Sequence, residues 1–181
     1  MLSCHHLVCD TWLIWLLVDE FRQNYVNQKS LLPPLKKTYA EYVQWQTQLL
    51  ASPQGEQLWA YWQQHLAGDL PVLNLPTDHP YPPLPNYQGK TYAFSLSPEL
   101  TQGLNALTKA EGVTLYSLLL AAFQVLLHRY TGQNDILVGS PTTGRSQTYF
   151  ANIVGYFVNQ IVLRARFEKN AQLYPLFKSS A

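Results

Sequence analysis

Apolar positions along this chain recur with a helical period over long stretches and alternate as in a strand over short ones. From Trp12 to about Tyr25 the order Trp-Leu-Ile-Trp-Leu-Leu-Val-Asp-Glu-Phe predicts a helix. Asp10 or Thr11 can cap it, since either side chain accepts hydrogen bonds from first-turn amides. After Pro33-Pro34, Thr38 followed three residues later by Glu41 has the spacing of a capping box, and Tyr42, Trp45 and Leu49 then share one face. A third helix follows Pro53, with Leu58, Tyr61, Trp62, His65 and Leu66 as an apolar side expected to lie in a core. Further on, Ser97-Pro98-Glu99 opens a helix that Gly112 ends, and Thr114 opens a long apolar one that stops at Gly132.

Between these helical halves, residues 75–89 carry prolines at 76, 80, 82, 83 and 85 and cannot continue a helix or a central strand. That stretch divides the chain into 1–74, a linker 75–89, and 90–181. Lys90 to Leu96 alternates like a strand, and Asp135 to Ser140 and Gln160 to Phe167 are rich in strand formers. Strand, helix, helix, strand, strand makes the second half an α/β layer.

Composition narrows the function. Nearly half of the 181 residues are apolar, enough for a buried core, and 12 Lys plus Arg stand against 11 Asp plus Glu with no basic run. The expectation is therefore no nucleic-acid partner. Cys4 and Cys9 do not make a secreted disulfide framework, which suggests a reducing cytoplasm, and Cys9 reads as a buried structural thiol. The runs Trp12 to Val18 and Leu115 to Leu127 are shorter than the roughly 20 apolar residues of a membrane span, so no membrane association is expected.

The chemistry concentrates at His5-His6-Leu7-Val8-Cys9-Asp10. In an extended segment neighbouring side chains point to opposite faces, so His5 and His6 would not converge on one ion. With His65 remote and no CxxC pair, no metal site is expected. One histidine is then free to face a substrate while the other anchors the loop. Gly139, Ser140 and Gly144 are loop formers rather than a phosphate cradle, because no strand-GxxxxGK[ST]-helix pattern is present.

The tract is followed, in order, by Tyr39-Ala40-Glu41-Tyr42-Val43-Gln44-Trp45-Gln46, by Asp135-Ile136-Leu137-Val138-Gly139-Ser140-Pro141 with Gly144-Arg145, and by Gly155-Tyr156-Phe157-Val158-Asn159. The series resembles the condensation domains of non-ribosomal peptide synthetases, which carry HHxxxDG, YxDYxxWQ, DIxVGxPxxGR and GxFVN stretches in that order. The resemblance implies a chloramphenicol-acetyltransferase-like fold of two lobes with a tunnel between them. Residues 1–74 would finish the first lobe and 90–181 begin the second. The family's domain is more than twice this length, so the chain reads as its middle, incomplete at both ends: a sequence fragment, a gene remnant or a truncated piece.

The implied reaction is attack by the amine of a carrier-bound aminoacyl acceptor on the thioester of a carrier-bound donor. His6 takes the place of the motif's second histidine and is the expected catalytic group. His5, Asp10 and Arg145 would support the loop, with Asp10 and Arg145 as a buried ion pair. Thr11, Trp12, Ser140 and Asn159 are candidates for the substrate channel. No cofactor is expected on the chain itself. The substrates would ride on the 4'-phosphopantetheine arms of peptidyl or acyl carrier protein partners, beside adenylation or synthase modules.

Thr11 stands where the family has glycine, a costly exchange if that position needs positive φ. Glu41 replaces the family's Asp, and Gln160 stands where it often has Thr or Pro. The alternative reading is a non-catalytic remnant or carrier-interaction module without a complete tunnel. A cyclising domain is disfavoured because its motif begins with Asp. The Phe-Val-Asn segment and Gly144-Arg145 favour condensation over epimerisation, and a free CoA acyltransferase would lack the Trp45-Gln46 helix.

Overall fold

A computed structural model describes residues 3–26, 34–80, 82–84 and 88–167. Pro33, Pro85 and the polar tail to Ala181 lie outside the described residues. The elements in chain order are α1 (Thr11–Val26), α2 (Tyr39–Leu50), α3 (Pro53–His65), α4 (Pro98–Glu111), α5 (Leu115–Thr131), β1 (Asp135–Thr142), a 3-10 turn (Thr148–Phe150) and β2 (Asn159–Arg166). The two strands pair. Thr142 bonds Asn159 at one end and Asn134 bonds Phe167 at the other, so they run antiparallel.

The chain divides into two compact units, 1–68 with 139–162 and 69–138 with 163–181. In the first, the helix starts are built as their sequences dictate. Thr38 and Glu41 satisfy each other's backbone amides in a full capping box, and Ser52 caps α3 ahead of Pro53 at its first turn. Tyr42 of α2 packs with Phe150, Ile153 and Phe157 into an aromatic core flanked by Trp45. Residues 139–162, placed in the second lobe on sequence grounds, supply most of that core. Among the residues of α1, only Leu13 is buried, while Trp15, Phe21 and Tyr25 are exposed.

The expected core face of α3 is not a core face in this structure. Leu58 and Tyr61 are exposed, and Trp62, His65 and Leu66 are only half-buried. The helix buries Gly55, where a Cβ would meet the Leu49 carbonyl, and this lets α3 close on the end of α2. Leu58 and Trp62 line an open groove together with Trp45 and Leu49 of α2 instead.

In the second unit, Ser97 caps α4 and Thr114 caps α5, and the left-handed Gly112 and Gly132 end them. Ala121 and Leu127 of α5 pack with Ile136, Ala165 and Phe167, with Leu73, Val125 and Val138 against them. Gln133 accepts from Asn74 N at 2.8 Å and donates to Val72 O at 3.0 Å, fixing the extended segment before the proline-rich stretch. Arg164 grips Asp135 through Nε and Nη2 at 2.9 and 2.6 Å. Lys90 to Leu96 forms no strand: among the described residues no strand pairs with it, and Tyr92 and Phe94 stay exposed. Alternation alone does not make a strand when its backbone groups find no ladder.

No single described helix is long and apolar enough to cross a membrane; α4 and α5 reach that length only together, bent by 104°.

Candidate active site

The histidine tract is a tight turn rather than an extended segment. Val8 N donates to His5 O at 3.0 Å, which brings the chain back on itself just before α1. His5 turns its Nδ1 inward to accept from Leu7 N at 3.1 Å. The His6 ring is exposed, with Nδ1 at 2.7 Å from the Cys9 carbonyl oxygen and its edge toward Tyr156, 5.5 Å between centroids. A carbonyl can only accept, so Nδ1 carries the proton, and the neutral ring presents an unprotonated Nε2. That is the tautomer a proton acceptor requires.

The loop is fixed from behind by Asp10, 2 % exposed. One carboxylate oxygen accepts from Leu13 N at 2.9 Å, capping α1, and the other from Phe157 N at 3.1 Å. Arg145 Nη2 reaches both oxygens at 3.4 Å. The cap and the ion pair expected of Asp10 therefore coexist on one carboxylate. The buried guanidinium lies 3.9 Å over the Phe157 ring. Its Nη1 donates to the carbonyls of Phe150, Ala151 and Ile153 at 2.9 to 3.2 Å, and Nη2 also to Gly155 O at 3.4 Å. Burial pushes the Arg145 pKa down and the Asp10 charge opposes that shift.

Two glycines make the arrangement possible. Gly144 has φ +62° and a Cβ there would collide with the Phe157 carbonyl, so the chain ahead of Arg145 can take this path only without a side chain. Gly155 lies against the Tyr39 ring, and Tyr39 Oη donates to Tyr156 O at 2.7 Å.

The other sequence candidates lie around this centre to differing degrees. Thr11 is the exposed first residue of α1, in right-handed helical backbone, so its β-branched side chain meets no demand for positive φ. Trp12 donates from Nε1 to Ala151 O at 3.0 Å and so ties α1 to the Arg145 loop. Ser140 is buried in β1. Asn159 accepts from Gln160 N through its own side chain. It lines a separate open groove of about 520 Å³ with Trp45, Trp59, Trp62 and Thr142, and His6 is not in its wall. Among the described residues no cluster of three His, Cys, Asp or Glu side chains could hold a metal ion.

Sequence reasoning gave no role to Tyr39, Gly155, Tyr156 or Phe157. The signal was there: the four fall inside the Tyr39-to-Gln46 and Gly155-to-Asn159 tracts, and they pack behind the histidine loop.

The family model described as Condensation domain matches residues 1–180. This chain belongs to the condensation-domain family. Among its curated relatives, tyrocidine synthase 3 of Brevibacillus parabrevis is 42 % identical over 164 residues, 91 % of this chain and 2 % of that protein. Gramicidin S synthase 2 of Brevibacillus brevis is 37 % identical over 166 residues, 92 % of this chain and 4 % of that protein. The chain thus spans a small part of the curated relatives it matches. A solved four-domain nonribosomal peptide synthetase superposes with TM-score 0.81 at 26 % identity, over 97 % of this chain and 13 % of that one. The SgcC5 protein of Streptomyces globisporus gives 0.79 at 25 %, over 98 % of this chain and 40 % of that one. The first condensation domain of the CDA synthetase, at 21 % identity and TM-score 0.77, shares the fold.

Proposed function

We propose that this chain carries the catalytic loop of a peptide-bond-forming condensation domain, and that His6 is its functional imidazole. The observation that carries the reading is the exposed His6 ring, held by Cys9 O in the tautomer that leaves Nε2 free, on a turn anchored by the buried Asp10 carboxylate. The acceptor's amine nitrogen attacks the donor thioester carbon, and the C–S bond breaks as the carrier's phosphopantetheine thiolate leaves. The proton the nitrogen loses is within the capacity of Nε2 to accept. An α-amino group titrates at about 7.7 to 8.0, so part of it is already neutral at cytoplasmic pH. His6 then acts as much by positioning the amine as by removing its proton. His5, Asp10 and Arg145 are positioning residues, and Thr11 and Trp12, at the start of α1 beside the histidine turn, are assigned to the wall of the substrate path.

Carrier protein domains and adjoining synthetase modules are the partners of this reading, the phosphopantetheine arms arrive on those carriers, and the setting is the cytoplasm. Residues 75–89 serve as the linker between the two lobe segments, 1–74 and 90–181. The similarity to the tyrocidine and gramicidin S synthases supports the reading of a condensation domain within a multidomain synthetase.

The test supplies the protein with one carrier protein loaded with an aminoacyl donor and another loaded with an aminoacyl acceptor, and reads dipeptidyl-carrier by intact mass. His6→Ala is expected to lower the rate by about 10² to 10⁴-fold, the usual contribution of a proton-transfer group. An unchanged rate removes His6 from the chemistry. Carrier binding without any product points to the interaction-module reading.

A further inference from the structure

The turn that holds the histidines is flanked by two thiols that the condensation reading does not use. Val8 N to His5 O closes the turn, and Cys4 and Cys9 are the residues immediately before and after it. A tight turn holds its first and fourth Cα atoms within about 7 Å, so the residues on either side of it lie near one another. Cys9 Sγ lies 3.2 Å and Cys4 Sγ 3.9 Å from the same oxygen, the carbonyl of His5. Cys4 is exposed and Cys9 buried, and both are free thiols. A hydrogen bond with the Cys4 thiol, followed by burial, pushes Cys9 up to about 11, so the inner thiol is inert until its partner is engaged.

We propose that Cys4 and Cys9 are a redox couple that closes a disulfide across the histidine turn, with a small-molecule disulfide such as oxidised glutathione as oxidant. The exposed Cys4 sulfur attacks the oxidant, forming a mixed disulfide and releasing one glutathione thiol. The Cys9 sulfur then attacks the Cys4 sulfur, the Cys4–Sγ bond to glutathione breaks, and a second glutathione thiol leaves. Two protons and two electrons pass from the cysteine pair to the oxidant, which becomes two thiols. The product spans a short loop and has one sulfur, that of Cys4, exposed, the features of a readily reduced bond rather than a structural one. Closing it draws Cys9 Sγ off the His5 carbonyl and displaces the Cys9 backbone, whose oxygen holds His6 Nδ1, whereas Asp10 next door stays clamped by Arg145. Oxidation therefore acts on the histidine turn and leaves the Asp10 anchor in place. That consequence for catalysis rests on the reading of His6 given above; the disulfide itself does not.

The reduced, desalted protein is incubated with oxidised glutathione, and the peptide spanning Cys4 and Cys9 is mapped by mass spectrometry. The expected product lacks two hydrogens, carries no glutathione and reverts with dithiothreitol. Cys9→Ser is expected to accumulate glutathione on Cys4, the trapped intermediate, and Cys4→Ser to leave Cys9 unmodified. Glutathione persisting on Cys4 of the native chain, or Cys4 linked between two chains, overturns the couple. Because the readout is the mass of one peptide, failure here leaves the condensation reading standing, and an inactive carrier assay leaves the couple standing.

Discussion

Replacing Asp10 by alanine removes, in one step, the acceptor of Leu13 N, of Phe157 N and of the Arg145 guanidinium. Each loss has its own magnitude. An unfilled N-cap costs about 1 kcal/mol, an orphaned buried amide about 1 to 3 kcal/mol, and a buried charge stripped of its partner about 3 to 5 kcal/mol. The groups share one carboxylate, so the terms overlap and do not add. With Arg145 and Asp10 side chains 3 % and 1 % exposed, water cannot replace the lost partner cheaply, and the expected destabilisation is about 3 to 5 kcal/mol. Asp10→Asn keeps an acceptor for the cap and gives up the charge, for which about 1.5 to 3 kcal/mol is expected. The assay is urea unfolding followed by tryptophan fluorescence. All five tryptophans, 12, 15, 45, 59 and 62, belong to the unit that contains Asp10, so the signal reports that unit. Adding Arg145→Met to Asp10→Asn removes the stranded cation, and the double variant is expected to be more stable than the sum of the singles implies. An Asp10→Ala midpoint within about 0.5 kcal/mol of the native chain, the scatter of an ordinary surface change, refutes the clamp.

Gly144→Ala forces a side chain into left-handed backbone against the Phe157 carbonyl, and about 2 kcal/mol or more of stability is expected to be lost in the same urea assay. Gly155→Ala drives a methyl into the Tyr39 ring. A loss of about 1 to 3 kcal/mol is expected, which Gly155→Ala combined with Tyr39→Leu recovers in part. Asp135 is held below the usual carboxylate range first by its hydrogen bond from Arg164. A depressed carboxylate contributes stability above its unfolded pKa, near 3.9, that is lost as pH falls through the lower folded value. Asp135→Asn is therefore expected to cost about 1 kcal/mol at pH 7, with the gap from the native chain closing in acid, as read by urea midpoints of far-ultraviolet circular dichroism across pH.

The helices were legible in the sequence because their ends are written in local chemistry. Thr38 with Glu41, Ser52 before Pro53, Ser97 before Pro98 and Gly112 after Glu111 each satisfy backbone groups within a few residues. Lys90 to Leu96 misled because a strand's bonds are made elsewhere in the chain, and alternation carries no information about whether a partner is present. The apolar side of α3 misled in a related way, since periodicity marks a face without saying what covers it. At the candidate site, Asp10 with Arg145 followed from charge and motif order. The ring of main-chain carbonyls around Arg145 did not, because a carbonyl has no letter in the sequence.

That ring has a consequence for how the loop tolerates change. Arg145 reads the segment after it by backbone oxygens, while Phe150 and Ile153 insert side chains into the core. Of the two residues between them, Ala151 is addressed through its carbonyl oxygen and Asn152 is exposed. A library that randomises those two positions should return mostly folded clones, whereas one at position 145 should return almost none. The guanidinium is in effect the mould and the loop the casting, so variation can accumulate there while the shape stays constant.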